Sequence, residues 1–451
     1  MSAVAKLLRH MGVTVTGSDV HESAITQELR QLGIPIAIGH AATSLPEHTD
    51  LLIYSSAVPE KNPEREEAKK RNVYQVNNFE FLGEWTSERD AVLVTGTHGK
   101  STTTSMLGLM CAQSGLDPTV IVGTRVPGFP EGNLRIGTTG LTIIEGDEYA
   151  KHFLCFRPRA LLLNNIELDH TDIFPTIEDV MAAFREVVYL VRPGGVIVAN
   201  ADDPRVSTLI GQERAELEAR NIRIVTFGFG RHADMQVMDV AVKPGEQIIA
   251  LRDAAGIVSR YSLHIPGKMN VSNAVGALTM AYELKASQDA ARLALAQFRG
   301  VWRRFEIVSE EAGVTVISDY GHHPSAVRAT LEAAHEFYPH RRVVLCFQPH
   351  HRNRTRHLFD EFVSSFDKAD ALVLVEIYDV AGRDAEEDAD VSSNGLLDAV
   401  FIRDRERSAR RETAFAKDPE DALRVLTHWK KPGDVIVVMG AGSIDDIAKR
   451  V

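Results

Sequence analysis

Residues 91–110 read AVLVTGTHGKSTTTSMLGLM and carry the most specific pattern in the sequence. The apolar run from Ala91 to Val94 is typical of a buried strand, and a helical pattern directly follows the glycine-rich turn. Glycines let the main chain curl so that several N–H groups face one anion, and the first turn of a helix adds partial positive charge. The stretch therefore predicts a strand, a phosphate-binding loop and a helix.

The side chains of this loop suit a nucleotide triphosphate. Lys100 can neutralise the β and γ phosphates, and the hydroxyl of Ser101 or Thr102 can reach a magnesium ion. A glycine-rich turn that merely contains a lysine is the plainer interpretation, but the strand, the Gly-x-x-Gly-Lys-Ser sequence and the helix all stand in the expected order. We expect Lys100 to be an exposed loop residue that contributes little to packing.

The composition excludes several classes of protein. The 451 residues are 44% hydrophobic and 25% charged, as in ordinary globular proteins, and 50 Lys and Arg against 62 Asp and Glu give a net charge of −12. An acidic chain of this kind is a poor candidate for a nucleic-acid coat. Three distant cysteines form no CxxC pair, and no apolar run is long enough to cross a bilayer. We expect a cytoplasmic protein without nucleic-acid binding or membrane insertion.

Short β-rich runs alternate with longer helical patterns along the whole chain, which is typical of parallel α/β sheets. The alternation restarts twice, near 83–91 and 295–306, and this predicts three domains at 1–90, 91–297 and 298–451. Residues 228–265 alternate in polarity like hairpin strands, so they predict an antiparallel addition to the middle domain.

Polar side chains follow two predicted strands of the middle domain, where ligands gather in parallel sheets. Glu145, Asp147 and Glu148 follow one strand, and the second is followed by Asn164, Asn165, Glu167, Asp169 and His170. Polar residues of either group, taken alone, are more often solvent-exposed loop side chains than ligands. Their place after a nucleotide loop favours a magnesium site, with Glu145 and His170 as candidate ligands.

The ordered set of motifs resembles the ATP-dependent Mur ligases of peptidoglycan synthesis over essentially the whole chain. The matching segments are TGTHGKST (95–102), EGDE (145–148), NNIELDH (164–170), GKMNVSNAVGA (267–277), FRGVWRRFE (298–306), DYGHHP (319–324) and FQPHHRNRTR (347–356). The resemblance implies Rossmann-like N- and C-terminal domains that flank a central P-loop ATPase domain. It also implies ATP and Mg²⁺ as cofactors.

The resemblance implies roles for individual residues. Lys100, Glu145, Asn165, His170, Arg304 and Asp319 would be catalytic. ATP would be bound by Gly96, Thr97, His98, Gly99, Lys100, Ser101, Thr102, Asn270, Asn273 and Arg304, and the metal by Ser101, Glu145 and His170. The substrates would be bound by Ser18, Asp19, Ser55, Ser56, His350, Arg354 and Arg356.

The reaction implied is amide formation between UDP-N-acetylmuramate and L-alanine through an acyl phosphate, by a monomer or homodimer. A second branch of the family adds a murein tripeptide to the same sugar nucleotide, and EGDEY resembles that branch more closely. The third-domain motifs favour L-alanine, although His351 replaces the usual arginine and Met269 the usual histidine. A non-catalytic nucleotide-binding regulatory protein is the alternative from another class.

Two further segments, one rich in histidine and one in arginine, and the start of the chain also support predictions. We expect His322 and His323 to form a turn before a helix rather than a metal pair, and residues 350–357 to supply an arginine fork for a carboxylate. The family normally opens with an apolar strand and a glycine-rich turn, whereas this sequence starts at the following helix. We therefore expect that the translation start is assigned too far downstream.

Overall fold

The computed structural model describes residues 1–171, 173–379 and 391–451, and the N-terminal part carries two small parallel sheets. Strand β1 pairs with β2, and β3 pairs with β4, with no pairing between the two sheets in the described residues. The elements are α1 (Ser2–His10), β1 (Gly17–Asp19), α2 (Ala24–Gln31), β2 (Ile36–Ile38), β3 (Leu51–Tyr54), α3 (Pro63–Lys70), β4 (Tyr74–Asn77) and α4 (Asn78–Thr86).

The middle part is one ten-stranded sheet in the order β14-β13-β12-β11-β10-β9-β5-β8-β6-β7. Its strands are β5 (Asp90–Thr95), β6 (Thr119–Ile121), β7 (Leu134–Arg135), β8 (Leu141–Glu145), β9 (Ala160–Leu163), β10 (Val196–Asn200), β11 (Arg223–Gly228), β12 (Met235–Lys243), β13 (Glu246–Arg252) and β14 (Val258–Leu263). The helices are α5 (Lys100–Gln113), α6 (Ile177–Tyr189), α7 (Pro204–Ala219), α8 (Lys268–Glu283) and α9 (Gln288–Gln297).

The central strands of this sheet are parallel and covered on both faces. Val92 and Leu162 face one apolar cluster with α5 and α8, whereas Leu93 and Leu161 face a second cluster with α6 and α7. Burial on both faces explains why β9 is a continuous apolar run rather than an alternating one. Strands β12 to β14 form the predicted antiparallel addition, which is confirmed, and β12 joins β11 in parallel.

The third part is a six-stranded sheet in the order β15-β16-β20-β17-β18-β19, parallel except at β15. Its strands are β15 (Glu306–Glu311), β16 (Val314–Asp319), β17 (Val343–Phe347), β18 (Ala371–Val375), β19 (Glu412–Ala416) and β20 (Val435–Met439). The helices are α10 (Pro324–Phe337), α11 (Arg352–His357), α12 (Phe359–Ser365), α13 (Ser393–Glu406), α14 (Pro419–Trp429) and α15 (Asp445–Ala448).

The parallel α/β fold class predicted from the sequence is confirmed. The carboxyl ends of β5, β8 and β9 lie side by side, so the loops after these strands meet at one edge of the middle sheet. In the described part of the chain, no helix is both long and apolar enough to span a lipid bilayer.

The core of the third sheet gives a first prediction. Leu345 in β17 is fully buried, so Leu345→Ala should lower the free energy of unfolding by about 2–5 kcal/mol through lost burial and an internal cavity. Ile402 on α13 is 60% exposed, and Ile402→Ala should change it by less than about 0.5 kcal/mol. Equilibrium urea unfolding of the full chain measures both values, and equal losses would contradict this packing.

Candidate active site

The loop between β5 and α5 depends on two glycines that no other residue could replace. Gly96 and Gly99 have φ angles of +140° and +81°. A Cβ at Gly96 would lie 2.9 Å from the side chain of Asn164, and one at Gly99 would lie 2.2 Å from the Asn273 Oδ1. The loop is therefore fixed both by conformation and by close packing.

Asn165 holds the same loop from the neighbouring strand end. Its Oδ1 accepts the His98 N–H at 2.7 Å, its Nδ2 donates to the His98 carbonyl at 3.1 Å, and its own carbonyl accepts the Thr97 N–H at 3.1 Å. The first N–H groups of α5 have no partner within the helix, as at any helix start. The structure thus places Asn165 as the residue that shapes the loop around those free amides.

The Lys100 ammonium closes the loop and is not an exposed group. Its side chain is 15% exposed, and Nζ donates to the carbonyls of Gly96 and Thr97 at 2.8 and 3.1 Å and to Glu148 Oε2 at 2.6 Å. Burial by itself lowers the pKa of Lys100, but Glu148, Asp147 and Glu145 raise it above its usual value. The expectation of an exposed loop lysine was wrong, because the acids after β8 fold over it.

Glu148 was not chosen as a site residue from the sequence, yet it lies between Lys100 and His170. Glu148 is 2% exposed, its Oε1 has no hydrogen-bond partner among the described residues, and this oxygen lies 3.5 Å from His170 Nε2. Burial alone lowers the pKa of His170, but Asp169 and Glu148 raise it overall. The structure therefore brings His170 to Glu148.

Glu145 lies beside the start of α5. Its Oε1 accepts the Ser101 hydroxyl at 2.8 Å, and its Oε2 accepts the Gly123 N–H at 2.6 Å. The Ser101 hydroxyl and the carboxylates of Glu145 and Glu148 are oxygen donors of the kind that suits magnesium, although in this structure the donor atoms of Glu145, Glu148 and His170 do not all lie within 4.8 Å of one another. The chemistry of the residues present therefore fits a divalent cation next to the phosphate loop.

Two predicted nucleotide contacts on α8 are brought to the loop by packing. Asn273 lies against Gly99, and its Nδ2 donates to Asn270 Oδ1 at 3.3 Å. Asn270 in turn donates to the Pro266 carbonyl at 2.7 Å. Met269, next to Asn270 on the same helix, packs against the core of the third sheet.

Asp319 and Arg304 lie together at the end of β16. Asp319 accepts the N–H groups of Phe305 and Gly321 at 2.8 and 2.6 Å, and the Arg304 guanidinium lies 4.8 Å from the centre of the Tyr320 ring. Burial raises the pKa of Asp319 although Arg304 and the two N–H groups oppose it. In this conformation Asp319 organises the entry into the third sheet.

A buried ion pair joins the middle and third parts of the chain. Arg354 Nε and Nη2 both donate to Asp169 Oδ1, at 2.9 and 2.7 Å, and the two residues are only 7% and 5% exposed. Burial opposes ionisation of Asp169, but Arg354 and His170 hold its pKa well below the usual range. The predicted arginine fork does take a carboxylate, and in this structure the carboxylate is the protein's own.

The other two predicted substrate residues of this segment lie near that pair. The His350 ring stacks on Tyr378 with 5.6 Å between ring centres, and Arg354 Nη1 lies 3.4 Å from His350 Nδ1. Arg356 lies half-buried on α11.

The predicted sugar-nucleotide residues of the N-terminal part fall into two places. Ser18 donates to Glu64 at 2.8 Å, and Asp19 accepts the His21 N–H at 3.2 Å. Ser55 caps its own turn by accepting the N–H of Ala57 at 3.4 Å. Ser18 and Asp19 are the last two residues of β1, and Ser55 directly follows β3, so these polar groups lie at the carboxyl ends of the two strands.

Ser56 has a different surrounding, because it connects the N-terminal part to the acids near Lys100. Its Oγ lies 2.6 Å from His152 Nε2, and His152 Nδ1 lies 3.4 Å from Asp147 Oδ2. Burial raises the pKa of Asp147, but His152, Lys100 and His170 lower it overall. His152 was missed from the sequence; its only signal was its place four residues after Glu148.

Three protein-family models match successive parts of the chain. They are described as the Mur ligase family catalytic domain at residues 1–89, the Mur ligase middle domain at 94–281, and the Mur ligase glutamate ligase domain at 303–442.

Curated relatives and solved structures extend this similarity. The chain is 37% identical to a UDP-N-acetylmuramate–L-alanine ligase of Salinibacter ruber, over 98% of the chain and 90% of the relative. It is 35% identical to one from Solibacter usitatus, over 100% and 92%. A crystal structure of the UDP-N-acetylmuramate-alanine ligase from Thermotoga maritima matches with a TM-score of 0.83 and 27% identity, over 100% of this chain and 95% of that one. A murein peptide ligase from Psychrobacter arcticus matches in fold with a TM-score of 0.71 and 24% identity, over 100% and 95%.

The buried pair gives a second prediction. Arg354→Gln leaves the Asp169 carboxylate buried without its cation, which should lower the free energy of unfolding by about 3–5 kcal/mol at pH 7. Arg292→Gln breaks an ion pair with Asp289, which is 94% exposed, and should cost less than about 1 kcal/mol. Urea unfolding compares the two variants, and a similar small loss in both would contradict the assigned pair.

The same ion pair predicts how the stability difference between the native protein and Arg354→Gln changes with pH. Because the pKa of Asp169 is lowered in the folded protein, its stabilisation is fully present above the ordinary carboxyl pKa of about 3.9 and is lost as pH falls through the lower folded value. The stability difference between the native protein and Arg354→Gln should therefore be largest near neutral pH and shrink in acid. A difference that grows in acid would oppose this assignment.

Proposed function

The chain belongs to the Mur ligase family, and we propose that it is an ATP-dependent ligase that joins L-alanine to UDP-N-acetylmuramate. The observation that carries this proposal is the Lys100 ammonium, held at 2.6 Å from Glu148 at the mouth of a glycine loop with free helix amides. A phosphate oxygen can accept the same Lys100 N–H donor when a triphosphate binds at the loop. The free thiols of Cys111, Cys155 and Cys346 agree with the cytoplasm as the proposed compartment.

The reaction has to bring two anions, the muramate carboxylate and the ATP triphosphate, together before the amide forms. A carboxylate oxygen of the muramate attacks the γ-phosphorus of ATP and ADP leaves; the L-alanine nitrogen then attacks the acyl carbon, phosphate leaves and the amine loses a proton. Carboxylate and triphosphate repel each other, so charge neutralisation and positioning supply most of the acceleration. Lys100 and the amides at the start of α5 are the groups that do this for the phosphates.

Other residues would hold the components of the site. Ser101, Glu145, Glu148 and His170 are the proposed ligands of magnesium, which would screen the phosphate charge. Ser56 and His152 would fix the sugar-nucleotide loop beside the same acids. The Asp169–Arg354 pair would keep the third part of the chain over the site, which excludes water from the acyl phosphate.

The choice of amine is tested by comparing two acceptors. The purified protein, supplied with ATP, Mg²⁺ and UDP-N-acetylmuramate, should release phosphate with L-alanine and little with the L-alanyl-γ-D-glutamyl-diaminopimelate tripeptide. Turnover with the tripeptide but not with L-alanine would mean that the protein catalyses the recycling reaction and not the addition of L-alanine. ATP binding without turnover on either amine would favour a regulatory protein.

Lys100 gives a further prediction, for which stability and catalysis must be separated. Lys100→Ala should lower acyl-phosphate formation, measured by hydroxylamine trapping, by at least about 10²-fold, because it removes a charge that faces the transferred phosphoryl group. It also leaves Glu148 buried without a cation and should destabilise the fold. Adding Glu148→Gln should restore stability but not activity.

Lys368→Ala is the matched control, since Lys368 is 56% exposed and pairs with Glu332 far from the loop. It should leave both stability and acyl-phosphate formation close to those of the native protein. Near-native trapping by a folded Lys100→Ala protein would remove Lys100 from the proposed mechanism.

A further inference from the structure

Three side chains with metal-ligand chemistry meet where the third part of the chain touches the phosphate loop. His98 lies in the loop before α5, Glu167 follows β9, and His323 precedes α10. One donor atom from each, the two imidazole nitrogens and a carboxylate oxygen, lies within 4.8 Å of the other two. None of the three belongs to the proposed magnesium ligands.

The donor atoms converge on one point. Glu167 Oε2 lies 2.8 Å from His98 Nε2 and 3.8 Å from His323 Nδ1. The Ser325 hydroxyl marks the point of convergence, because its Oγ lies 2.9 Å from Glu167 Oε2, 3.3 Å from His98 Nε2 and 2.7 Å from His323 Nδ1. A group at this point is in contact with all three donors at once.

We propose that His98, Glu167 and His323 bind a divalent transition-metal ion of the Zn²⁺ type. Two imidazoles and one carboxylate form a ligand set that zinc uses in proteins, and a water molecule or the Ser325 hydroxyl can complete a tetrahedron. The set discriminates against magnesium, which prefers oxygen ligands. Small inward movements of the side chains, with rotation of Ser325, bring the donors to metal distances of about 2.0–2.2 Å.

His323 presents its Nδ1 to the shared point. Nδ1 accepts the N–H of Ser325 at 3.3 Å, so a neutral ring carries its proton on Nε2, and a bound ion would take the Nδ1 lone pair in place of this long capping bond. His323 is 5% exposed, which fixes the ring in place. Glu167 is 34% exposed, so an ion can reach the site from solvent.

The expected turn before α10 is confirmed, since His323 caps that helix, but this histidine has a second side facing the phosphate loop. A bound ion would join His98 and Glu167 of the middle part to His323 of the third part. It would therefore hold the third part against the phosphate loop, whichever amine the protein uses. The site does not depend on the proposed ligase activity.

Cobalt provides a direct test, because tetrahedral Co²⁺ has intense visible absorption bands. The full-length protein is titrated with Co²⁺ and then with Zn²⁺ in the presence of excess Mg²⁺, which fills the sites that prefer oxygen ligands. One equivalent of Co²⁺ should develop the bands, and Zn²⁺ should remove them. Glu167→Gln and His323→Gln should each weaken the affinity at least about tenfold, since each removes one ligand.

Two variants serve as controls, and circular dichroism establishes that each protein is folded. His335→Gln makes the same change further along α10, outside the cluster, and should bind like the native protein. Ser325→Ala keeps all three ligands and should retain affinity within about threefold, with water as the fourth ligand. No tetrahedral bands in the native protein, undiminished affinity in folded Glu167→Gln and His323→Gln, or a loss in Ser325→Ala as large as theirs would overturn the proposal.

Discussion

The rest of the site depends on a loop whose main chain is held open. Gly96 and Gly99 pass so close to Asn164 and Asn273 that no side chain fits, and Asn165 fixes the amide and carbonyl of His98. With the loop held in this way, the first amides of α5 point to one place, and Lys100 reaches back over them. Positive charge is therefore concentrated before any ligand arrives, which is the condition for rapid transfer between two anions.

Buried acids balance this charge. Glu148 neutralises Lys100 and leaves one oxygen toward His170, while Glu145 takes the Ser101 hydroxyl. When a triphosphate binds with its cation, Lys100 can exchange the Glu148 carboxylate for a phosphate oxygen, and the cation offsets part of the added negative charge. The Asp169–Arg354 pair extends the network to the third sheet and connects the phosphate loop to helix α11.

The strand ends and the loop were predictable because they depend on local patterns. In residues 91–102, a strand is followed by glycines and then by a lysine, and this order predicted the phosphate loop. Alternating polarity predicted the strands β12 to β14. Which acid turns toward Lys100 was not predictable, since Glu145, Asp147 and Glu148 lie within four residues and only tertiary packing separates them. The pairing of Arg354 with Asp169 joins positions 185 residues apart and follows from the arrangement of two sheets, which no local pattern contains.

A structure of the protein with a nonhydrolysable ATP analogue and Mg²⁺ would show whether the loop before α5 binds the phosphates. We predict that the phosphates lie on the amides at the start of α5, that Lys100 Nζ leaves Glu148 for a phosphate oxygen, and that Glu148 turns toward the cation. An analogue bound elsewhere, with the 2.6 Å contact between Lys100 and Glu148 retained at the loop, would contradict the account.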